Sequence, residues 1–138
     1  MNLDLSGKTA IVCGSTQGIG KATALQLAKM GANIVLVARN EVKLASVKDE
    51  LDISKGQKHN YIKADFNFPA ELKLSVEESI KENGPAHILV NNTGGPPGGP
   101  AIGAKTDEYT SAFNMHLISN QCLAQALVEG MKSEGYGR

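Results

Sequence analysis

The sequence predicts an α/β fold in which a doubly wound parallel sheet lies between two layers of helices. Three observations carry that expectation. Short, almost wholly apolar runs recur along the chain: TAIVC at 9–13, NIVLVA at 33–38 and AHILV at 86–90. Strands covered on both faces of a parallel sheet read this way. Between the runs lie more polar segments with apolar residues at helical spacing. Finally, the first run leads into Gly14-Ser15-Thr16-Gln17-Gly18-Ile19-Gly20, a glycine-rich turn that opens a helical pattern.

Each element follows in order. Thr9 to Cys13 is a buried strand ended by Gly14. Ile19 to Met30 is a helix with apolar Ile19, Ala22, Leu25 and Leu27, stopped by Gly31. Asn33 to Ala38 is the second strand. Glu41 to Leu51 is a charged helix with Val42, Leu44, Val47 and Leu51 at helical spacing. His59 to Ala64 is the third strand. Pro69 to Glu82 is a polar helix with its proline in the first turn and Leu72, Val76 and Ile80 facing inward. Ala86 to Val90 is the fourth strand, with His87 inside it. Residues 91–104 form a loop rich in Gly and Pro. Asp107 to about Lys132 is one long helix. Its apolar residues, Phe113, Met115, Leu117, Leu123, Ala124, Leu127, Val128 and Met131, cover a wide arc, so more than one surface is expected to meet it. Right-handed crossovers turn this alternation into three layers, α/β/α. No repeat or second-domain boundary interrupts it. Residues 1–138 are read as one Rossmann-like domain, truncated after the fourth strand and the long helix.

Composition narrows the function. Fourteen basic residues balance fourteen acidic ones, so no long-range field gathers nucleic acid or an anionic membrane. No apolar stretch is long enough for a bilayer, and the mixed, polar start is no signal peptide. Cys13 and Cys122 lack the neighbours of a redox pair or zinc site and read as small core residues of a reducing compartment. A cytoplasmic location and no metal are expected.

The spacing of Gly14, Gly18 and Gly20 suits a dinucleotide. A tight turn needs residues without a β-carbon. Bare backbone then lets a pyrophosphate approach the N–H groups of the first helical turn, which Gln17 and Ile19 complete, aided by the helix dipole. Ser15 and Thr16 add hydroxyl donors. The second strand ends in Ala38-Arg39-Asn40, with no acid to accept bonds from ribose hydroxyls. Arg39 can pair with a 2′-phosphate and stack beside adenine, which favours NADP(H) over NAD(H). Glu41 opens the following helix. Asp65 can accept the adenine amino hydrogen, or cap the next turn, while the Phe66 backbone reads the ring edge. Asn91-Asn92-Thr93-Gly94 lets backbone pass close to the adenosine ribose, with Asn91 tying adjacent strand ends together. Pro96-Pro97-Gly98-Gly99-Pro100 is either a stiff wall near nicotinamide and substrate or a purely structural loop.

Together these residues resemble the short-chain dehydrogenase/reductase family, and within it the reductases related to 3-oxoacyl-acyl-carrier-protein reductase. The resemblance covers essentially the whole chain. The family usually has Thr at Cys13 and Ala at Thr93. The first change loses a hydroxyl near the turn, and the second keeps a small side chain. The resemblance implies a catalytic part for Asn114, which in the family acts through the local helical backbone on a proton relay with Ser, Tyr and Lys. It also implies a small carbonyl or alcohol substrate and a homo-oligomer, dimer or tetramer, in which the long helix takes part. No Tyr-x-x-x-Lys occurs among these residues: Tyr61 is followed four places on by Asp65 and Tyr109 by Phe113. His59, His87 and His116 do not replace it, and His116 reads as a packing or surface residue. The expected function is therefore the N-terminal cofactor-binding part of an NADP(H)-dependent oxidoreductase, inactive as this piece, with a 3-oxoacyl thioester among the substrates to consider. The alternative is a noncatalytic dinucleotide-binding or assembly module.

Overall fold

In the computed structural model, which describes residues 3–96 and 98–138, the three apolar runs and the segment expected as the third strand form four parallel strands: β1 (Thr9–Cys13), β2 (Asn33–Ala38), β3 (Asn60–Lys63) and β4 (Ile88–Val90). Their order is β3-β2-β1-β4. Thr9 sits beside Asn33 and Cys13 beside Val37, while Ala10 to Val12 run alongside Ile88 to Val90. The crossovers are α1 (Gly18–Lys29), α2 (Glu41–Asp49) and α3 (Pro69–Asn83).

The strand period of two sorts the core into two layers. Ala10, Val12, Ile34 and Leu36 meet Ala24 and Ala28 of α1 and Leu44 and Val47 of α2. Ile11, Cys13, Val35 and Val37 meet Leu72 and Val76 of α3 and, from the last helix, Leu123 and Leu127. This is the expected doubly wound α/β/α arrangement.

After β4, a short 3-10 turn (Ala101–Gly103) precedes α4 (Thr106–Phe113), a π turn (Asn114–Ile118) and α5 (Ser119–Ser133). The long helix expected from the sequence therefore carries a π turn, in which the Ser119 N–H donates to the carbonyl of Asn114 five residues back. Its wide apolar arc divides. Ser119, Leu123 and Leu127 are buried, the Ser119 hydroxyl donating to the Phe66 carbonyl at 2.8 Å. Tyr109, Phe113, Leu117 and Val128 are exposed.

Two strands are shorter than the sequence led us to expect. β3 omits His59 and Ala64, and β4 omits Ala86 and His87. His87 precedes β4 rather than lying inside it. Its N–H donates to the Thr9 carbonyl at 2.8 Å, and its Nδ1 accepts the Thr9 N–H at 3.0 Å. The imidazole thus supplies an acceptor where the ladder ends. On the other side of β4, Arg138 donates to the His87 carbonyl at 3.1 Å and accepts from the Leu89 N–H at 2.9 Å, a parallel pairing pattern. Among the described residues no helix is long and apolar enough to cross a membrane.

Candidate cofactor-binding site

The turn after β1 uses its glycines for two different purposes. Gly14 has φ +58°, and a β-carbon there would stand 2.6 Å from the Asn92 carbonyl oxygen and 2.7 Å from Asn92 Nδ2. That amide donates to the carbonyls of Cys13 and Gly14, each at 3.3 Å. A β-carbon on Gly20 would run into the Gly14 carbonyl. Both glycines are therefore required by packing. Gly18 has φ +55° with nothing within 4 Å of a β-carbon, so its bare side faces open space. The N-cap Gln17 is extended, and no side chain caps α1 or places an acid in its first turn. The leading N–H groups of α1 have no intrahelical acceptor, and the helix dipole makes this end positive. A diphosphate fits this cradle.

Segments from the carboxyl ends of all four strands surround the cradle, where open parallel sheets take their ligands. The first cleft, of about 520 Å³, runs from Gly14 and the first turn of α1 to Ala38-Arg39-Asn40, Lys43 and Asn92-Thr93-Gly94. The second, of about 440 Å³, shares Arg39, Phe66, Thr93 and Gly94 and adds Asp65, Asn67, Pro96, Ser111 and Met115.

Most of the residues singled out by the sequence meet here. Thr16, Gln17, Gly18 and Ile19 line the first cleft, and Arg39, Phe66, Thr93 and Gly94 line both. Asp65 lines the second, with Oδ1 engaged by the Asn67 N–H at 2.9 Å and its side-chain amide at 3.0 Å. The capping reading thus accounts for one carboxylate oxygen. Ser15 is a correction. It is fully buried, its hydroxyl donates to the Val37 carbonyl at 3.5 Å, and it lines neither cleft. Asn91 is another. It is exposed, and the strand ends are tied by Asn92 instead. Asn114 is half-buried in the π turn and lines neither cleft. Pro96 lines the second cleft, while Pro97 of the same loop lies outside the described residues.

The structure adds residues that the sequence reading missed. Lys43 lines the first cleft from α2, whose start is fixed by Asn40 accepting the Lys43 N–H at 3.0 Å. The Asn cap before a helix that leaves β2 is a legible signal, and a residue at the third helical position stands over the strand end. His116, read as packing or surface, has its Nδ1 2.6 Å from the Thr93 hydroxyl. This contact ties the π turn to the loop after β4. His116 Nε2 and Asn120 Oδ1 are buried without a partner among the described residues. Burial pushes the Cys13 thiol up to about 12, so it remains a protonated core group. Among the described residues no cluster of metal-ligating side chains occurs.

Residues 8–138 match the family model for short chain dehydrogenase. Glucose 1-dehydrogenase of Gluconobacter oxydans is 36% identical over 112 residues, 81% of this chain and 42% of that protein. The L-sorbose reductase of Gluconobacter frateurii, solved with NADPH and L-sorbose, superposes with a TM-score of 0.91 at 34% identity, over 99% of this chain and 52% of that one. A 3-oxoacyl (acyl-carrier-protein) reductase of Agrobacterium tumefaciens with NADP bound gives 0.88 at 25% identity, over 99% and 52%. The chain spans about half the length of the relatives it matches. With the glycine turn, the parallel sheet and the strand-end clefts all in place, the chain belongs to the short-chain dehydrogenase family.

Proposed function

We propose that residues 1–138 are the N-terminal, NADP(H)-binding part of an oxidoreductase acting on a small carbonyl or alcohol. The observation that carries this reading is one cleft combining an uncapped helix N-terminus, a bare Gly18 and the Arg39 cation, with no acid in its lining. NADP(H), when bound, supplies or accepts the hydride. The first turn of α1 holds the diphosphate through its N–H groups, with Thr16 adding a hydroxyl. Arg39 pairs with the 2′-phosphate. The second carboxylate oxygen of Asp65 accepts from the adenine amino group, and the Phe66 backbone reads the ring edge. Asn92, Thr93 and Gly94 border the ribose. Asn114 acts through the backbone of its π turn. The L-sorbose reductase solved with NADPH supports the cofactor and a small-molecule substrate. The exposed stripe of Tyr109, Phe113, Leu117 and Val128 supports a homo-oligomer. Both cysteines are free, which suits the cytoplasmic location this reading assigns.

These residues contain no Tyr-x-x-x-Lys, so this polypeptide alone is expected to bind NADP(H) with negligible turnover. Nicotinamide fluorescence titrations with NADPH and NADH test the binding. Equal, weak binding of both cofactors counts against the Arg39 argument. A carbonyl-dependent NADPH oxidation assay tests the turnover, and robust oxidation by these residues alone contradicts the expectation.

A further inference from the structure

We propose that Lys43 is a second cation for the 2′-phosphate, and so a determinant of selectivity for NADP(H) over NAD(H). This rests on the cofactor reading above and adds to it a residue that the sequence reading did not single out.

Arg39 leaves β2 and Lys43 occupies the third position of α2, and both line the first cleft. Asn40, between them, accepts the Lys43 N–H at 3.0 Å and so caps the helix that carries Lys43. Neither cation has a carboxylate within ion-pair distance among the described residues. The one acid in the first turn of α2, Glu41, lies 3.4 Å from Lys63 and does not line the cleft. No other acid lines that cleft. The cleft thus holds two uncompensated positive charges beside the diphosphate cradle. A phosphomonoester carries about −1.5 to −2 at neutral pH, and a 2′-phosphate is the group by which NADP(H) differs from NAD(H). The two cations divide the task. Arg39 presents a planar fork that can pair and stack, and Lys43 presents a compact charge on a flexible stem.

The test is equilibrium binding of NADPH and NADH, read by nicotinamide fluorescence, to the wild type and to K43M, K43R, R39M and K81M. Lys43 and Lys81 are both exposed, so these substitutions leave the core intact, and circular dichroism checks the fold. K43M is expected to weaken NADPH roughly three- to tenfold and to leave NADH within about twofold, as a contact confined to the 2′-phosphate requires. K43R is expected to restore most of the loss. K81M, which removes the same charge from α3, is expected to change neither cofactor. High salt should narrow the gap between wild type and K43M. Unchanged NADPH affinity in K43M, with weakened affinity in R39M, overturns the role of Lys43 and leaves the cofactor reading standing. An equal loss for NADPH and NADH also overturns it. A folded wild type that binds neither cofactor overturns both.

Discussion

Gly14 and Gly18 have nearly the same φ, +58° and +55°, but different surroundings, and this makes them a matched pair. Replacing either with alanine places a β-carbon in the left-handed region, at a cost of about 1–2 kcal/mol. Alanine also restricts the unfolded chain, which offsets about 0.4–1 kcal/mol in both variants alike. The difference between the variants therefore isolates Asn92. At position 14 the new β-carbon stands 2.6 Å from the Asn92 carbonyl oxygen, so the loop after β4 must move. That displaces the two bonds from Asn92 Nδ2 to Cys13 and Gly14, each worth about 0.5–1.5 kcal/mol. At position 18 nothing lies within 4 Å. Gly14→Ala is thus expected to be less stable than Gly18→Ala by about 1–3 kcal/mol. Urea denaturation followed by circular dichroism measures the difference. Gly18→Ala is expected to fold yet lose NADPH, because its methyl occupies the side on which the diphosphate approaches. Equal stability of the two variants, or wild-type NADPH affinity in Gly18→Ala, refutes the division of labour between the glycines.

Three further outcomes follow from particular contacts. Burial, aided by the Lys8 ammonium and opposed by Glu134, holds the His87 imidazole below its ordinary value. A lowered histidine value means that the unfolded chain binds more protons. Its contribution to stability is therefore complete above about pH 6.5 and lost as the pH falls below it. Urea unfolding of the wild type and of His87→Asn across that range should show a shallower acid loss in the variant, and parallel curves contradict the assignment. The 2.6 Å contact between Thr93 and His116 is expected to give a coupling of about 1 kcal/mol in a double-mutant cycle of Thr93→Val with His116→Phe. A coupling near zero dismisses it. Leu117→Lys, in the exposed stripe, is expected to shift the proposed homo-oligomer toward monomer in sedimentation velocity, and a distribution that the substitution leaves unchanged counts against a role for that stripe in assembly.

The fold was legible because period and punctuation agree. Three apolar runs and the mixed segment 59–64, each ended by turn residues, became four parallel strands, and Pro69 and Asn40 stand where helices α3 and α2 begin. The strand ends were less legible. His87 is apolar enough in context to extend a run, yet its ring replaces a ladder acceptor instead of entering the strand. The π turn left no mark in the pattern, because an extra residue in a helix shifts its apolar face without interrupting it. Within the site, glycine spacing and the Arg39 strand end could be read directly. The direction of Ser15 could not, since it depends on the approach of β2. Nor could the choice between Asn91 and Asn92, two identical neighbours that alternate across the strand end. The bond between Thr93 and His116 joins residues 23 apart in sequence, and only the tertiary path of α4 and the π turn brings them together.

Backbone amide NMR of the labelled protein during an NADPH titration probes the first crossover most directly. A diphosphate seated at the start of α1 should move the Gly18, Ile19 and Gly20 resonances most, with smaller changes at Arg39, Asp65 and Thr93. If a folded, NADPH-saturated sample instead showed its largest changes around Lys58, His59 and Asn60, at the cleft on the opposite end of the sheet, the account would be contradicted.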